Sequence, residues 1–145
     1  LLIGGGTGYA PLRSMLHSLL EVGDRRQLYL YWGAQTAPDL YEDAHLRALT
    51  EKHPNLRYIP VLSAPRAEDR WQGRTGWVHA AALEDHPDLA KVDVYASGPP
   101  VMVETIRHEF THRGLPPEQL FFDSFDYAPD VLARLGNTFM PSQDL

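Results

Sequence analysis

A chain of 145 residues, 43% hydrophobic and 22% charged, has the composition of one globular domain and is long enough to bury about 68–70% of its unfolded surface without covalent staples. The formal charge of −6 argues against a nucleic-acid partner, and no apolar run approaches the ~20 residues of a membrane helix. The absence of cysteine excludes a disulfide framework, a thiolate-held iron–sulfur cluster and a Cys-based zinc site within these residues.

The chain opens inside an apolar strand, Leu1-Leu2-Ile3, with no methionine, as a piece of a longer polypeptide would. With no export segment in view, the cytoplasm is the expected compartment. The strand runs into Gly4-Gly5-Gly6-Thr7-Gly8-Tyr9-Ala10-Pro11 and then a helix predicted over Pro11 to Glu21. A strand, a glycine turn and a helix N-terminus aim backbone N–H groups and the positive end of a helix dipole at one spot, which suits a phosphate. Glycines let that phosphate approach the backbone and supply positive φ angles. Pro11 suits a first helical turn. A P-loop would end in Gly-Lys-Ser/Thr, whereas Gly8 is followed by Tyr9-Ala10, so NTP hydrolysis of that type is not expected.

Further on, the pattern predicts a strand over Leu28 to Trp32, and a helix capped by Asp39 with Glu42 three residues later. A third strand follows over Leu56 to Leu62, whose Pro60 suits a sheet edge. After a polar connection from Ser63, Thr75 is placed to cap a helix through Val78 and Leu83. A fourth strand, Val92 to Ala96, turns at Ser97-Gly98-Pro99-Pro100 into a helix through Phe110, and Leu120-Phe121-Phe122 is the fifth strand. Alternating strands and helices predict an α/β fold, an open parallel sheet of five strands with helices on both faces, and the expected arrangement is Rossmann-like, in the order 3-2-1-4-5. In that order strands one and four are neighbours, and their two small-residue turns flank one crevice. The stretch 126–145 reads as a surface extension.

Several pieces in order resemble the nicotinamide-nucleotide domain of the ferredoxin-NADP reductase superfamily, in its flavin reductase and oxygenase-reductase branch. They are the GGTGxxP turn (Gly5, Gly6, Thr7, Gly8, Pro11), Tyr31-Trp32-Gly33-Ala34 with Asp39-Leu40-Tyr41, and Gly73-Arg74-Thr75-Gly76. Gly98-Pro99-Pro100 with Met102, and Phe121-Phe122-Asp123-Ser124-Phe125, complete the set. The resemblance covers residues 1–125 and implies a flavin-binding barrel domain upstream in the same polypeptide. It implies that Gly5 to Gly8 hold the pyrophosphate of NAD(P)H, and that Gly33, Ala34, Gln35 and Tyr41 meet the adenosine half, with Tyr41 stacked on adenine. Gly98, Pro99, Pro100 and Met102 would line the nicotinamide side. Ser97 stands where many relatives carry a cysteine near the nicotinamide, and Phe125 matches an aromatic residue that covers the flavin. Relatives that prefer NADPH often place a serine or arginine for the 2′-phosphate; no positive charge lies between Gly33 and Tyr41, and Gln35-Thr36 resembles NADH-using cytochrome b5 reductases. NADH is therefore expected ahead of NADPH. Hydride would pass to FAD or FMN on the upstream domain, and electrons onward to an iron–sulfur protein, an oxygenase or free flavin. The isolated chain is expected to bind nucleotide without turning over.

One rival motif is present. His108-Glu109-Phe110-Thr111-His112 spells H-E-x-x-H on a predicted helix, the pattern of a zinc hydrolase. Phe110 lies on the core stripe and Gly114 ends the helix, so these residues read as a solvated face. His17, His45, His53, His79 and His86 are expected at the surface, and no metal ligand is expected. A non-catalytic nucleotide-binding module is the other alternative, one that would keep the glycine turn without any electron transfer.

Overall fold

The computed structural model describes residues 1–124; Phe125 and the stretch 126–145 lie outside the described residues. Six strands form one parallel sheet, in the order β4-β3-β2-β1-β5-β6. They are β1 (Leu2–Gly5), β2 (Leu28–Ala34), β3 (Leu56–Leu62), β4 (Arg74–Thr75), β5 (Val94–Gly98) and β6 (Leu120–Ser124). The helices are α1 (Tyr9–Glu21), α2 (Asp43–Lys52), α3 (Val78–Asp85) and α4 (Pro100–His112). The predicted order is found, with one strand more than expected: Arg74 and Thr75 pair with Val61 and Leu62 and extend the β3 edge.

Alternation along each strand divides the core in two. Leu2, Leu30, Trp32 and Leu62 face α1 and α2, where Leu12, Leu16 and Leu46 meet them. Ile3, Tyr31 and Val61 face the other way, onto Val78, Ala82, Met102, Ile106 and Phe110 of α3 and α4. A period of two in the strands and of 3.6 in the helices places these side chains in two layers. Each fully buried large apolar side chain contributes about 1.5–3 kcal/mol. β1 is covered on both faces and paired on both edges, which fixes the position of its carboxyl end.

Two local expectations change. Asp39 does not cap α2, which starts at Asp43. Asp39 instead closes a short 3₁₀ turn, Ala37–Asp39, in which its carboxylate accepts from the Thr36 hydroxyl at 2.8 Å and from the Thr36 N–H at 3.1 Å. Thr75 belongs to β4, and the residue before α3 is Trp77, which makes no side-chain cap. Pro60 lies on the part of β3 that pairs with Trp32 of β2 but not with β4, so its missing N–H breaks no ladder on the β4 side.

Candidate dinucleotide-binding site

The carboxyl ends of β1, β2 and β5 meet where the order of the strands reverses. Gly5 stands opposite Gly33, and Gly4 opposite Ser97. The chain then makes one 3₁₀ turn, Gly6–Gly8, before α1. Gly6 has φ +56°, a left-handed conformation that suits glycine. Gly8 is different: its φ of −60° is open to any residue. What excludes a side chain there is space, since a Cβ would lie 2.6 Å from the Ser97 carbonyl carbon and 2.9 Å from the Gly98 Cα, and closer still to the Ser97 carbonyl oxygen. The first turn thus rests directly on the backbone of the second. Gly98 is crowded in the same way, with a Cβ 2.7 Å from Met102 Cε and 3.4 Å from the Gly5 nitrogen. Gly33 would press on Val78 Cβ at 2.8 Å.

Aromatic side chains hold this crevice from the α1 side. The Trp32 indole N–H donates to the Gly6 carbonyl at 2.9 Å. Its ring stacks on Tyr9 with centroids 4.1 Å apart and planes 16° apart. Tyr41 meets both rings edge-on, at 5.8 Å from Tyr9 and 4.9 Å from Trp32. Tyr9 and Trp32 are fully buried while Tyr41 is 57% exposed, so Tyr41 has a free surface for a flat ligand. The Tyr9 hydroxyl donates to Glu42 at 2.6 Å, and Arg13 Nε donates to both oxygens of the same carboxylate at 2.9 and 3.0 Å. Burial pushes the Tyr9 phenol up, as does the bond to Glu42. Partial burial acts to raise the Glu42 carboxyl, but bonds from Tyr9 and Arg13 outweigh it and hold it below the usual range.

The segment from Gly33 to Tyr41 is tied to the loop after β3. The Ser63 and Ala64 N–H groups donate to the Ala34 and Gln35 carbonyls at 2.9 and 3.0 Å. Asp69 accepts from the N–H groups of Ala37 at 3.2 Å and Arg66 at 2.9 Å. Two N–H groups of this segment, those of Thr36 and Ala37, are therefore committed to carboxylates.

The remaining predicted residues divide by position. Gly5, Gly8, Gly33, Ser97 and Gly98 are brought together by the strand pairings and the turn packing, with Gly6 and Thr7 in the turn between, while Ala34 and Gln35 continue from β2 towards the loop after β3 and Pro99 precedes α4. Pro11 lies in the first turn of α1, and Pro100 opens α4. Met102 is fully buried and supports Gly98 from beneath, so it reaches the crevice through that glycine rather than by its own surface. Ser97 is 1% exposed, and its hydroxyl has no hydrogen-bond partner among the described residues; it does not bond a turn N–H. Phe125 lies outside the described residues. Arg74, in the Gly73 to Gly76 piece, is turned to α3: it binds Asp85 at 2.6 and 2.7 Å and the Ala81 carbonyl at 3.3 Å. Tyr31 donates to the same Asp85 at 2.8 Å. That piece is a buttress for the sheet edge.

Sequence reasoning missed the bond from Trp32 to Gly6 and the grip of Tyr9 and Arg13 on Glu42. Tyr9 and Arg13 stand four apart on one helix, which puts them on one face, and that spacing was the available signal. Asp69 had none, because its partners come from a different loop. The histidine expectation also changes: His79 is 4% exposed, with Nε2 3.8 Å from Glu109 and no partner for Nδ1 among the described residues, and His86 is half-buried, its Nε2 3.0 Å from the Tyr31 hydroxyl.

A parallel sheet carrying a glycine turn and a second small-residue turn at its switch point defines the Rossmann-like class of dinucleotide-binding domain. The family model described as the oxidoreductase NAD-binding domain matches residues 2–108, and the chain belongs to that family, within the ferredoxin-NADP reductase superfamily. It is 42% identical over 124 residues to a CDP-6-deoxy-L-threo-D-glycero-4-hexulose-3-dehydrase reductase of Yersinia pestis, an alignment covering 85% of this chain and 36% of that protein. It is 39% identical over 128 residues to a probable flavin reductase of Aliivibrio fischeri, covering 88% and 53% of the two. Among solved structures, a cytochrome P450 reductase of Amycolatopsis superimposes with a TM-score of 0.78 at 35% identity, over 86% of this chain and 36% of that one. The chain therefore spans about a third to a half of the length of these relatives. The zinc-hydrolase alternative finds no support here. His108 and His112 stack on each other at 4.8 Å, and among the described residues no group of three or more His, Cys, Asp or Glu is placed to hold a metal. No helix of the described residues is long and apolar enough to cross a membrane.

Proposed function

We propose that this chain is the nicotinamide-nucleotide half of a flavin-dependent reductase, with NADH as its dinucleotide. The observation that carries this reading is the packing of one turn on the other. Gly8 lies on the backbone of Ser97 and Gly98 with no room for a side chain, which leaves the N–H groups of the Gly6–Gly8 turn and the start of α1 beside the end of β5. A pyrophosphate is the group such a turn suits. The buried, unpartnered Ser97 hydroxyl supports the assignment of the β5 end to the nicotinamide, since an unsatisfied buried hydroxyl costs about 1–3 kcal/mol and a carboxamide supplies the missing partner.

In this reading Gly5 to Gly8 take the pyrophosphate, and the exposed Tyr41 takes the adenine against its ring face. Ser97 to Pro100 hold the nicotinamide in line and keep water from it, and Phe125 covers the flavin side. When both groups are bound, the nicotinamide supplies hydride to a flavin, FAD or FMN, on an upstream domain of the same polypeptide. Alignment and exclusion of water are what the protein must contribute to such a transfer, and neither demands an acid, a base or a nucleophile from this chain. NADH is favoured over NADPH because the Thr36 and Ala37 N–H groups are taken by Asp39 and Asp69. A 2′-phosphate placed there would face two carboxylates and no cation of its own segment. The acceptor beyond the flavin is an iron–sulfur protein, an oxygenase or free flavin, in keeping with relatives named as a flavin reductase, a phenol hydroxylase component and a cytochrome P450 reductase.

The test is competition among NAD, NADP and ADP-ribose by ligand-observed NMR, with protein-observed amide spectra in parallel, on the 145-residue chain, with affinities for a half-site expected near millimolar, about −4 kcal/mol. Saturable NAD binding at least as strong as NADP binding, centred on resonances of Gly6 and Gly98, is the expected result. Tighter NADP binding overturns the cofactor preference. Binding that leaves those two glycines unshifted overturns the site.

A further inference from the structure

Outside the crevice, the surface of α1 and α2 carries an arrangement that the dinucleotide does not use. His17 projects from α1 and His45 from α2, two helices that pack on the same side of the sheet. Their Nε2 atoms are 3.3 Å apart, at an exposed position. Their ring centres are 5.3 Å apart and their planes 23° apart. The nitrogens are thus much closer than the ring centres, so each imidazole turns its Nε2 edge towards the other. In the metal-free chain this distance lets one ring N–H donate to the other ring's nitrogen, the direction depending on the tautomer. Zinc–imidazole bonds of about 2.0–2.1 Å at a tetrahedral angle put two ligand nitrogens roughly 3.3–3.4 Å apart. The observed separation already matches that of two ligands on one ion, so metal binding would need little rearrangement of the two rings.

We propose that His17 and His45 form a two-histidine site for a divalent transition ion of the imidazole-preferring kind, zinc or nickel, with water filling the other positions. Among the described residues no third His, Cys, Asp or Glu completes the set, so the site is open and its ion exchangeable, unlike a closed structural zinc centre. Of the charged groups beside the pair, Arg13 lies one turn before His17 and is neutralised by its ion pair with Glu42. Glu42 lies one turn before His45, close enough for His45 to act on its carboxyl, and that carboxylate is already fixed by Tyr9 and Arg13. The ion would join α1, which begins at the glycine turn, to α2, which follows Tyr41. Binding to the folded state alone then raises its stability by mass action. The proposal stands on the histidine geometry and is independent of the dinucleotide reading.

A built-in comparison is available. His108 and His112 lie four apart on α4, with ring centres 4.8 Å apart and planes 17° apart. The experiment is a titration of the metal-stripped 145-residue chain with zinc, read by the imidazole ring protons in two-dimensional NMR, with thermal melting in parallel. The expected result is saturable shifts of the His17 and His45 rings at one equivalent and a rise in melting temperature. H17Q and H45Q, made separately, should each weaken binding about tenfold or more and abolish the rise, while H108Q leaves both unchanged. His45 is exposed and His17 half-buried, and unchanged metal-free melting curves of both variants would show that the fold is intact. Zinc affinity that survives H17Q and H45Q, shifts that follow His108 and His112 instead, or no shift at a tenfold excess of zinc would each overturn the proposal.

Discussion

Replacing Gly8 by alanine tests the packing on which the crevice depends. The backbone angles at Gly8, φ −60° and ψ −13°, suit alanine, so conformational strain contributes nothing. The added methyl would lie 2.6 Å from the Ser97 carbonyl carbon, about 1 Å short of ordinary carbon–carbon contact at about 3.5–4.0 Å. Both neighbours are backbone, and neither can rotate away. Either the Gly6–Gly8 turn lifts or the β5 end recedes, and the expected cost is at the upper end of overpacking, about 2–3 kcal/mol. At about 2–4 °C per kcal/mol for a chain of this length, melting should fall by about 4–12 °C. Because the displaced atoms are those assigned to the pyrophosphate, dinucleotide affinity should fall about tenfold or more. Gly23→Ala is the counterpart: φ there is +74° and nothing lies within 4 Å. That variant pays for a left-handed backbone, about 1–2 kcal/mol, and should leave dinucleotide affinity unchanged. Thermal melting and the NMR competition decide between them. A Gly8→Ala protein as stable as the parent and binding NAD equally well would refute the reasoning, as would a larger loss in Gly23→Ala.

Trp32→Phe keeps most of the buried ring but removes the N–H that holds the Gly6 carbonyl; a loss of about 1–3 kcal/mol in urea unfolding is expected, together with weaker NAD binding. Stability should also decline in mild acid. Burial lowers His79 below its ordinary 6.5, partly opposed by Glu109, and burial lowers His86 as well, opposed by Asp85. Below pH about 6.5 the unfolded chain binds protons that the folded chain refuses, so stability is full above that pH and falls as pH drops towards the lowered folded values. Denaturant midpoints measured from pH 7.5 to 5 should show this slope, reduced but not abolished in His79→Leu because His86 remains. An unchanged slope in that variant would assign the acid sensitivity elsewhere.

Much of the fold was legible because it rests on local periodicity. Leu2-Ile3, Leu30-Tyr31-Trp32 and Val61-Leu62 alternate between faces, and the two small-residue turns mark where strands hand over to helices. Strand order does not follow from local pattern; given the order 3-2-1-4-5, the two turns fall side by side at a switch point, and the sheet has that arrangement. The strand Arg74–Thr75 was not legible. Two residues carry no period, and their pairing with Val61 and Leu62 comes with a long-range tie of Arg74 to Asp85 that no local pattern reveals. The cap at Asp39 was misplaced for a related reason: its partner is Thr36 behind it, and a pattern of residue types does not say on which side of a carboxylate the helix lies.

At the crevice the division is sharper. The sequence by itself determined the chemistry on offer: glycines at Gly5, Gly6 and Gly8, a turn at Ser97 to Pro100, and no cation from Gly33 to Tyr41. Those are statements about covalent structure, and folding does not alter them. Only the tertiary structure decided that Gly8 is required for space rather than for φ, that Met102 lies beneath Gly98, and that Asp69 occupies the Ala37 N–H. It also decided that His17 and His45 face each other. Each of these is a distance between atoms far apart in the chain, set by how two layers of helices settle on one sheet, and side-chain packing to ångström precision is what fixes such distances.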